Sequence, residues 1–290
     1  MLETIGAKMP TAPKYSLPKG SCDCHAHIFG PLEEFPAGKS SYAIPLAAPS
    51  VYEKYLEIIG LSHGVIVQPA PYGQDTGALV NALEIFGDRL RGIAVADSSV
   101  SDEKLQMLHA AGVRGLRFIE KIDPRTQKPY AGSVGVSELK KMAARMQKLG
   151  WQAHIWTTGD ELPRIYKELN SLEMPIVFDH MGQLDTAQGV GSLGFKALLD
   201  VLKDARVWLK MSVCRVSAQP PEYPDLRPYH DIIVDNHSQR LIWGSDWPFV
   251  AMREKSPDVG ALVDLFCTWV NDDGVVQKVF ADNPKRLFGF

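Results

Sequence analysis

The stretch Ser21-Cys22-Asp23-Cys24-His25-Ala26-His27-Ile28-Phe29-Gly30-Pro31 decides how the rest of the chain is read. Taken as a strand it alternates faces, because successive side chains of an extended chain point to opposite sides. Asp23, His25 and His27 then share one face, with Cys22, Cys24 and Ala26 on the other. Gly30-Pro31 stops the strand just past the second histidine. Two histidines spaced i, i+2 are by themselves compatible with a hydrogen-bonded core. They gain meaning if later strands deliver partners to the same place, and the chain offers His180 and Asp246, each directly after an apolar run.

Working outward, apolar β-branched runs recur at 63–68, 90–96, 113–118, 151–157, 175–179, 206–212 and 240–245. Helical patterns separate them at 49–59, 76–86, 101–111, 137–149, 159–169 and 192–203, then in a segment ending near His237 and at 258–270. Gly60, Gly87, Gly112 and Gly150 close four of these. Strand–helix units repeating about every 30 residues predict a (β/α)8 TIM barrel, since short parallel strands must each be joined by a crossover helix. A doubly wound open sheet gives the same alternation, but no GxGxxG or Walker loop follows any strand. Residues 1–19 read as an irregular N-terminal arm and 20–290 as one (β/α)8 catalytic domain. Segments 32–48 and 119–135 read as long loops lying over the strand ends.

Composition narrows the function classes. The chain has 290 residues, 45% of them hydrophobic and 22% charged, which suits a globular domain with a full core. A net charge of −3 without a Lys/Arg cluster argues against nucleic acid as a partner. No stretch approaches the roughly 18 apolar residues of a membrane helix, and the first 19 residues do not read as a signal peptide or anchor. Cys22, Cys24, Cys214 and Cys267 are expected to be reduced, and the protein cytoplasmic.

In a barrel, reactive groups gather at the C-terminal ends of the strands. His25, His27, Gln68, Arg117, Trp156, Thr158, His180, Ser212, Arg215 and Asp246 all fall there, drawn from seven strands. A carboxylate among imidazoles suits attack on a carbonyl: the acid takes the nucleophile's proton, and imidazole donors hold the developing oxyanion. Arg117 and Arg215 suit a substrate carrying carboxylates, because a guanidinium grips a carboxylate with two parallel hydrogen bonds. His25, His27, His180 and Asp246, joined by His154, offer a competing use as zinc ligands.

Three motifs carry a family resemblance. Asp23-Cys24-His25-Ala26-His27-Ile28-Phe29-Gly30-Pro31, Phe178-Asp179-His180-Met181-Gly182 and Trp243-Gly244-Ser245-Asp246-Trp247-Pro248 resemble, in that order, the amidohydrolase superfamily. More narrowly they resemble its metal-independent lactonases of the 2-pyrone-4,6-dicarboxylate type, and the likeness runs from about residue 20 to the closing Asp282-Asn283-Pro284-Lys285-Arg286-Leu287. The resemblance implies that Asp246 is the general base, that His25, His27 and His180 surround the carbonyl, and that no cofactor is needed. Many amidohydrolases bridge two ions with a lysine after strand 4; here Leu116-Arg117-Phe118 stands there, and arginine is not a ligand.

The chain departs from the pyrone-lactonase pattern at Gln183 and at Glu120-Lys121, where that pattern has arginines, and at Trp156, where it has tyrosine. A less cationic mouth with more neutral hydrogen-bonding groups is therefore expected, with Gln183, Trp156, Gln68 and Thr158 as substrate-binding residues beside the two arginines. Such a mouth suits a polyhydroxylated sugar-acid lactone and brings the chain nearest the galactarolactone isomerases of the branch. The reaction then implied converts D-galactaro-1,5-lactone to the 1,4-lactone: Asp246 deprotonates the C4 hydroxyl, which attacks C1 and expels the C5 oxygen. The alternatives are hydrolysis of a dicarboxylate lactone, a metal-dependent decarboxylase and a non-catalytic binding barrel.

Overall fold

A computed structural model describes residues 3–290. Eight parallel strands form its central sheet: β1 Cys22–Ala26, β2 His63–Val67, β3 Leu90–Ala94, β4 Val113–Ile119, β5 Gln152–Trp156, β6 Ile176–Phe178, β7 Val207–Met211 and β8 Leu241–Trp243. Their order in the sheet is their order in the chain. The seam between β8 and β1 closes just past the named strands. Ala26 bridges Trp247, His27 N donates to Trp247 O at 2.8 Å, and Asp246 N donates to His25 O at 2.8 Å. The expected (β/α)8 barrel is the fold.

Helices α1 Pro49–Ile59, α2 Gly77–Phe86, α3 Asp102–Ala110, α4 Val136–Lys148, α5 Leu162–Leu169, α6 Leu193–Val201, α7 Arg227–His237 and α8 Val259–Val270 cover the outside. Their starts follow local chemistry: the side chains of Ser101, Ser192 and Asp258 accept from the first-turn amides of α3, α6 and α8. The barrel interior holds Cys22, Cys24, Val65, Val67, Ile93, Val177, Trp208, Ile242 and Phe288. Phe288 comes from the C-terminal helix Asn283–Phe288, which plugs the N-terminal ends of the strands; Arg91 Nη2 donates to Gly289 O there at 2.9 Å. All four cysteines are buried and unpaired. Among the described residues no helix is long and apolar enough to cross a membrane.

Two local expectations need correction. The arm is not wholly irregular: Thr4–Gly6 pairs in parallel with Ile44–Leu46, a strand inside the predicted loop 32–48. Met1 and Leu2 lie outside the described residues. More consequential, Asp23 does not share a face with His25 and His27. The β1–β2 register shifts between Asp23 and Ala26, the mark of a β-bulge. Cys22 and Cys24 both point into the barrel, and His25, next in the chain, points in as well to reach Lys210. Asp23 faces outward and accepts from Tyr55 of α1 at 2.6 Å.

Candidate active site

The bulge turns Asp23 from a site acid into a clamp. Its carboxylate accepts from Ser245 N at 2.9 Å, Ser245 Oγ at 2.5 Å, Tyr55 Oη at 2.6 Å and His25 N at 3.1 Å. That ties the end of β8 to β1 directly before Asp246. Asp246 itself sits at φ 64° and His180 at φ 50°, with Met181 and Gln183 also left-handed. Non-glycine residues adopt this conformation only where the surroundings over-determine it, a condition concentrated at functional sites.

The Asp246 carboxylate lies at the floor of the barrel mouth. Arg215 Nε meets its Oδ2. Facing Oδ1 are His27 Nε2 at 3.2 Å, His25 Nε2 at 3.3 Å and His180 Nε2 at 4.0 Å. Burial alone would raise this carboxyl, but the Arg215 guanidinium and the surrounding imidazoles outweigh it and hold Asp246 well below the usual carboxylate range. Burial pushes His180 down to about 4, against the pull of Asp246 and Asp179. His27 is oriented by Nδ1–H donating to Val67 O at 2.7 Å. The floor thus carries an ionised acid ringed by imidazoles, an arrangement able to accept a proton and stabilise an oxyanion.

Under the floor lies a pair that sequence reading passed over. Lys210 on β7 and Asp179 after β6 are both buried, Nζ to Oδ1 3.0 Å apart, and Lys210 Nζ is also 3.0 Å from His25 Nδ1. The available signal was a lysine inside the apolar run Val-Trp-Leu-Lys-Met, since a lysine is almost never fully buried without a partner.

A cavity of about 260 Å³ opens above the floor, lined by His27, Arg117, Trp156, His180, Gln183, Arg215 and Asp246. Tyr42, Arg125 and Tyr130 line it too, brought there by the two long loops. Those loops meet across the mouth where Arg125 Nη1 donates to Ser41 Oγ at 3.2 Å. Trp156 is flanked by cations, with the Arg117 guanidinium 5.5 Å and the Lys121 ammonium 4.7 Å from its ring. Lys121 also donates to Gln183 Oε1, and burial and then Arg215 push its ammonium down to about 8.

Other sequence candidates stand elsewhere. His25 lies in the floor beneath the cavity. Gln68 is spent on the backbone: Nε2 donates to Gly73 O and Asp75 O, and Oε1 accepts from Val95 N. Thr158 is exposed outside the cavity, where its carbonyl accepts from Glu161 N and Leu162 N at the start of α5. Ser212 Oγ donates to Gly244 O. His154 is deeper in the barrel, with Nε2 3.0 Å from Gln152 Oε1.

Ligand atoms of His25, His180 and Asp246 lie within 4.8 Å of one another, the span of a possible metal site. The donor set does not fit a divalent ion. One Asp246 oxygen is taken by Arg215. His25 Nδ1 is 3.0 Å from Lys210 Nζ, so that nitrogen already faces a cation.

A family model described as Amidohydrolase matches residues 22–290. A 2-pyrone-4,6-dicarboxylate hydrolase of Comamonas testosteroni is 34% identical, the match covering 96% of this chain and 93% of that protein. A D-galactarolactone isomerase of Agrobacterium fabrum is 25% identical over 99% of this chain and 97% of its own. Among solved structures, a probable 2-pyrone-4,6-dicarboxylic acid hydrolase of Acinetobacter baumannii with citric acid bound is 26% identical. It superposes with a TM-score of 0.79 over 93% of this chain and 100% of that one.

Proposed function

The chain belongs to the amidohydrolase family, and from that premise we propose that it is a lactone-acting enzyme that hydrolyses a small lactone carrying two carboxylates. The observation carrying this reading is the ionised Asp246 on the floor of a cavity walled by Arg117, Arg125 and Arg215, with Lys121 at its rim. Arg215 Nη2 and Arg117 Nε have no hydrogen-bond partner within the protein, so neither guanidinium has all its donors satisfied. Arg125 adds a positive group to the cavity beside Arg117 and Arg215, and Lys121 donates to the lining residue Gln183. Hydrolase relatives also stand nearer than the isomerase, at 34% against 25% identity.

In this mechanism the lactone's carboxylates sit on the arginines and its carbonyl oxygen points at the imidazoles. Asp246 Oδ1 takes a proton from water as the water oxygen bonds to the carbonyl carbon. His180, which lines the cavity, faces the resulting oxyanion, while His25 Nε2–H lies in the floor against Asp246. Collapse breaks the ring C–O bond, and the proton held by Asp246 passes to the leaving oxygen, giving the open acid. Asp246 serves as acid and base in turn, with no metal ion in the scheme. Isomerisation remains the second reading, favoured by Gln183 and by loops that can keep the cavity dry for an internal hydroxyl.

Turnover in ¹⁸O-water decides between them, with 2-pyrone-4,6-dicarboxylate and D-galactaro-1,5-lactone as substrates. One ¹⁸O per product molecule, in the carboxylate formed from the lactone carbonyl, is expected, and Asp246→Asn should lower kcat by about 10²–10⁴-fold. A 1,5- to 1,4-lactone conversion without ¹⁸O would make it an isomerase. No turnover of either lactone would end the dicarboxylate-lactone reading.

A further inference from the structure

Lys210 Nζ is 3.0 Å from His25 Nδ1 and 3.0 Å from Asp179 Oδ1, while those two atoms are 3.5 Å from each other. All three side chains are wholly buried. An ammonium has three donors and no lone pair, so the ring nitrogen it touches must be the acceptor. A neutral imidazole then carries its one proton on the other nitrogen, Nε2, which faces Asp246 Oδ1 at 3.3 Å.

We propose that Lys210 is a positioning residue that fixes the His25 tautomer, keeping Nε2–H turned toward the cavity floor and denying that nitrogen's lone pair to a metal ion. Asp179 is the rival partner for Nδ1. With Lys210 in place the carboxylate is occupied by the ammonium, and the shorter Nζ contact decides the ring's orientation of charge. Without it, the buried carboxylate beside Nδ1 becomes an acceptor with no cation, and the ring proton moves from Nε2 to Nδ1 through solvent with no net change in protonation. Nε2 then presents a lone pair beside His180 and Asp246, within the 4.8 Å span of the three ligand atoms. One buried lysine thus separates a hydrogen-bonding site from a metal-binding one built of the same three residues. The inference rests on contact geometry and not on the lactone reading, so either can fail alone.

The test is two-bond ¹H–¹⁵N NMR of protein labelled at histidine nitrogen, with the His25 signals assigned by their loss in His25→Asn. Wild type is expected to show an unprotonated Nδ1 and a protonated Nε2. Lys210→Met should exchange the two, and Lys210→Arg, still donor-only, should keep the wild-type pattern. After dialysis against equimolar zinc, wild type and Lys210→Arg should retain no metal at this site. Lys210→Met should retain one equivalent that is lost when His25→Asn is added. A protonated Nδ1 in wild type, or a wild-type pattern in folded Lys210→Met, overturns the proposal; so does zinc held by wild type through His25. If Lys210→Met does not fold, the wild-type spectrum and zinc content decide. A purely structural lysine would change thermal stability and leave the nitrogen signals where they are.

Discussion

Lys121 stands beside the cavity and makes no ion pair with an acid among the described residues; its partners are two lining groups, the Gln183 amide oxygen and the face of Trp156. Arg215 meets Asp246, Arg117 approaches Asp179, and Arg125 approaches Asp123. An ammonium left without an anion at the rim suits an anion delivered by the substrate. Burial has pushed Lys121 down to about 8, so it loses its charge as pH rises through that value. If it receives a substrate carboxylate, kcat/KM should fall above about pH 8, since that ratio reports groups of the free enzyme. Lys121→Arg should carry the fall to higher pH. Lys121→Met should raise KM by about 10–100-fold with little change in kcat, the worth of one charge-assisted hydrogen bond. An unchanged KM in Lys121→Met would remove Lys121 from the binding groups.

At the scale of elements, the site depends on how closely β1 and β8 approach. Gly244 follows β8, and a Cβ built there would stand 2.8 Å from His25 Cβ and 3.2 Å from His25 N. Neither atom is the end of a flexible side chain, so Gly244→Ala must part the strands that fix Asp246 and His27. Overpacking of this kind costs about 1–3 kcal/mol, and a misplacement near 1 Å can cost about 10²-fold in kcat. Gly194→Ala in the first turn of α6, where a Cβ meets open space, should leave activity alone and change stability by less than about 1 kcal/mol. Equal effects of the two substitutions on kcat would refute the role given to the β1–β8 seam. The elements themselves were legible, since alternating apolar runs and glycine stops carry the barrel's period. His27, His180, Arg215 and Asp246 were legible as strand-end groups that converge. The bulge was not, because the strict alternation that predicts a strand also predicts the wrong face for Asp23. Lys210 was hidden for a related reason: its partners, His25 and Asp179, come from other strands, and only the closed barrel brings them together. Gln68 read as a site residue because it ends β2, yet three backbone groups had already claimed it.

For the whole molecule, placing the site inside the barrel ties stability to pH. Burial holds His25 and His154 well below the ordinary imidazole range and His180 at about 4. In the unfolded chain each returns to about 6.5. Between those values the unfolded state binds protons that the folded state refuses, so stability rises with pH through this window and is lost as pH falls below about 6.5. His180 alone, displaced from 6.5 to about 4, accounts for about 3 kcal/mol over that interval. Asp179 and Asp246, held low by their cationic neighbours, act in the same direction further down. Their stabilisation is full above the unfolded carboxyl value and lost as pH drops through the folded one. Three such histidines give a slope of up to about 4 kcal/mol per pH unit near pH 5. Urea unfolding between pH 7 and pH 5 should therefore show the midpoint falling steeply. His154→Gln, which removes one of the three from outside the cavity, should lessen the slope by about 1.4 kcal/mol per unit. A midpoint that stays level from pH 7 to 5 would mean that these imidazoles take up protons in the folded barrel, and that the floor around Asp246 is wetter than its packing requires.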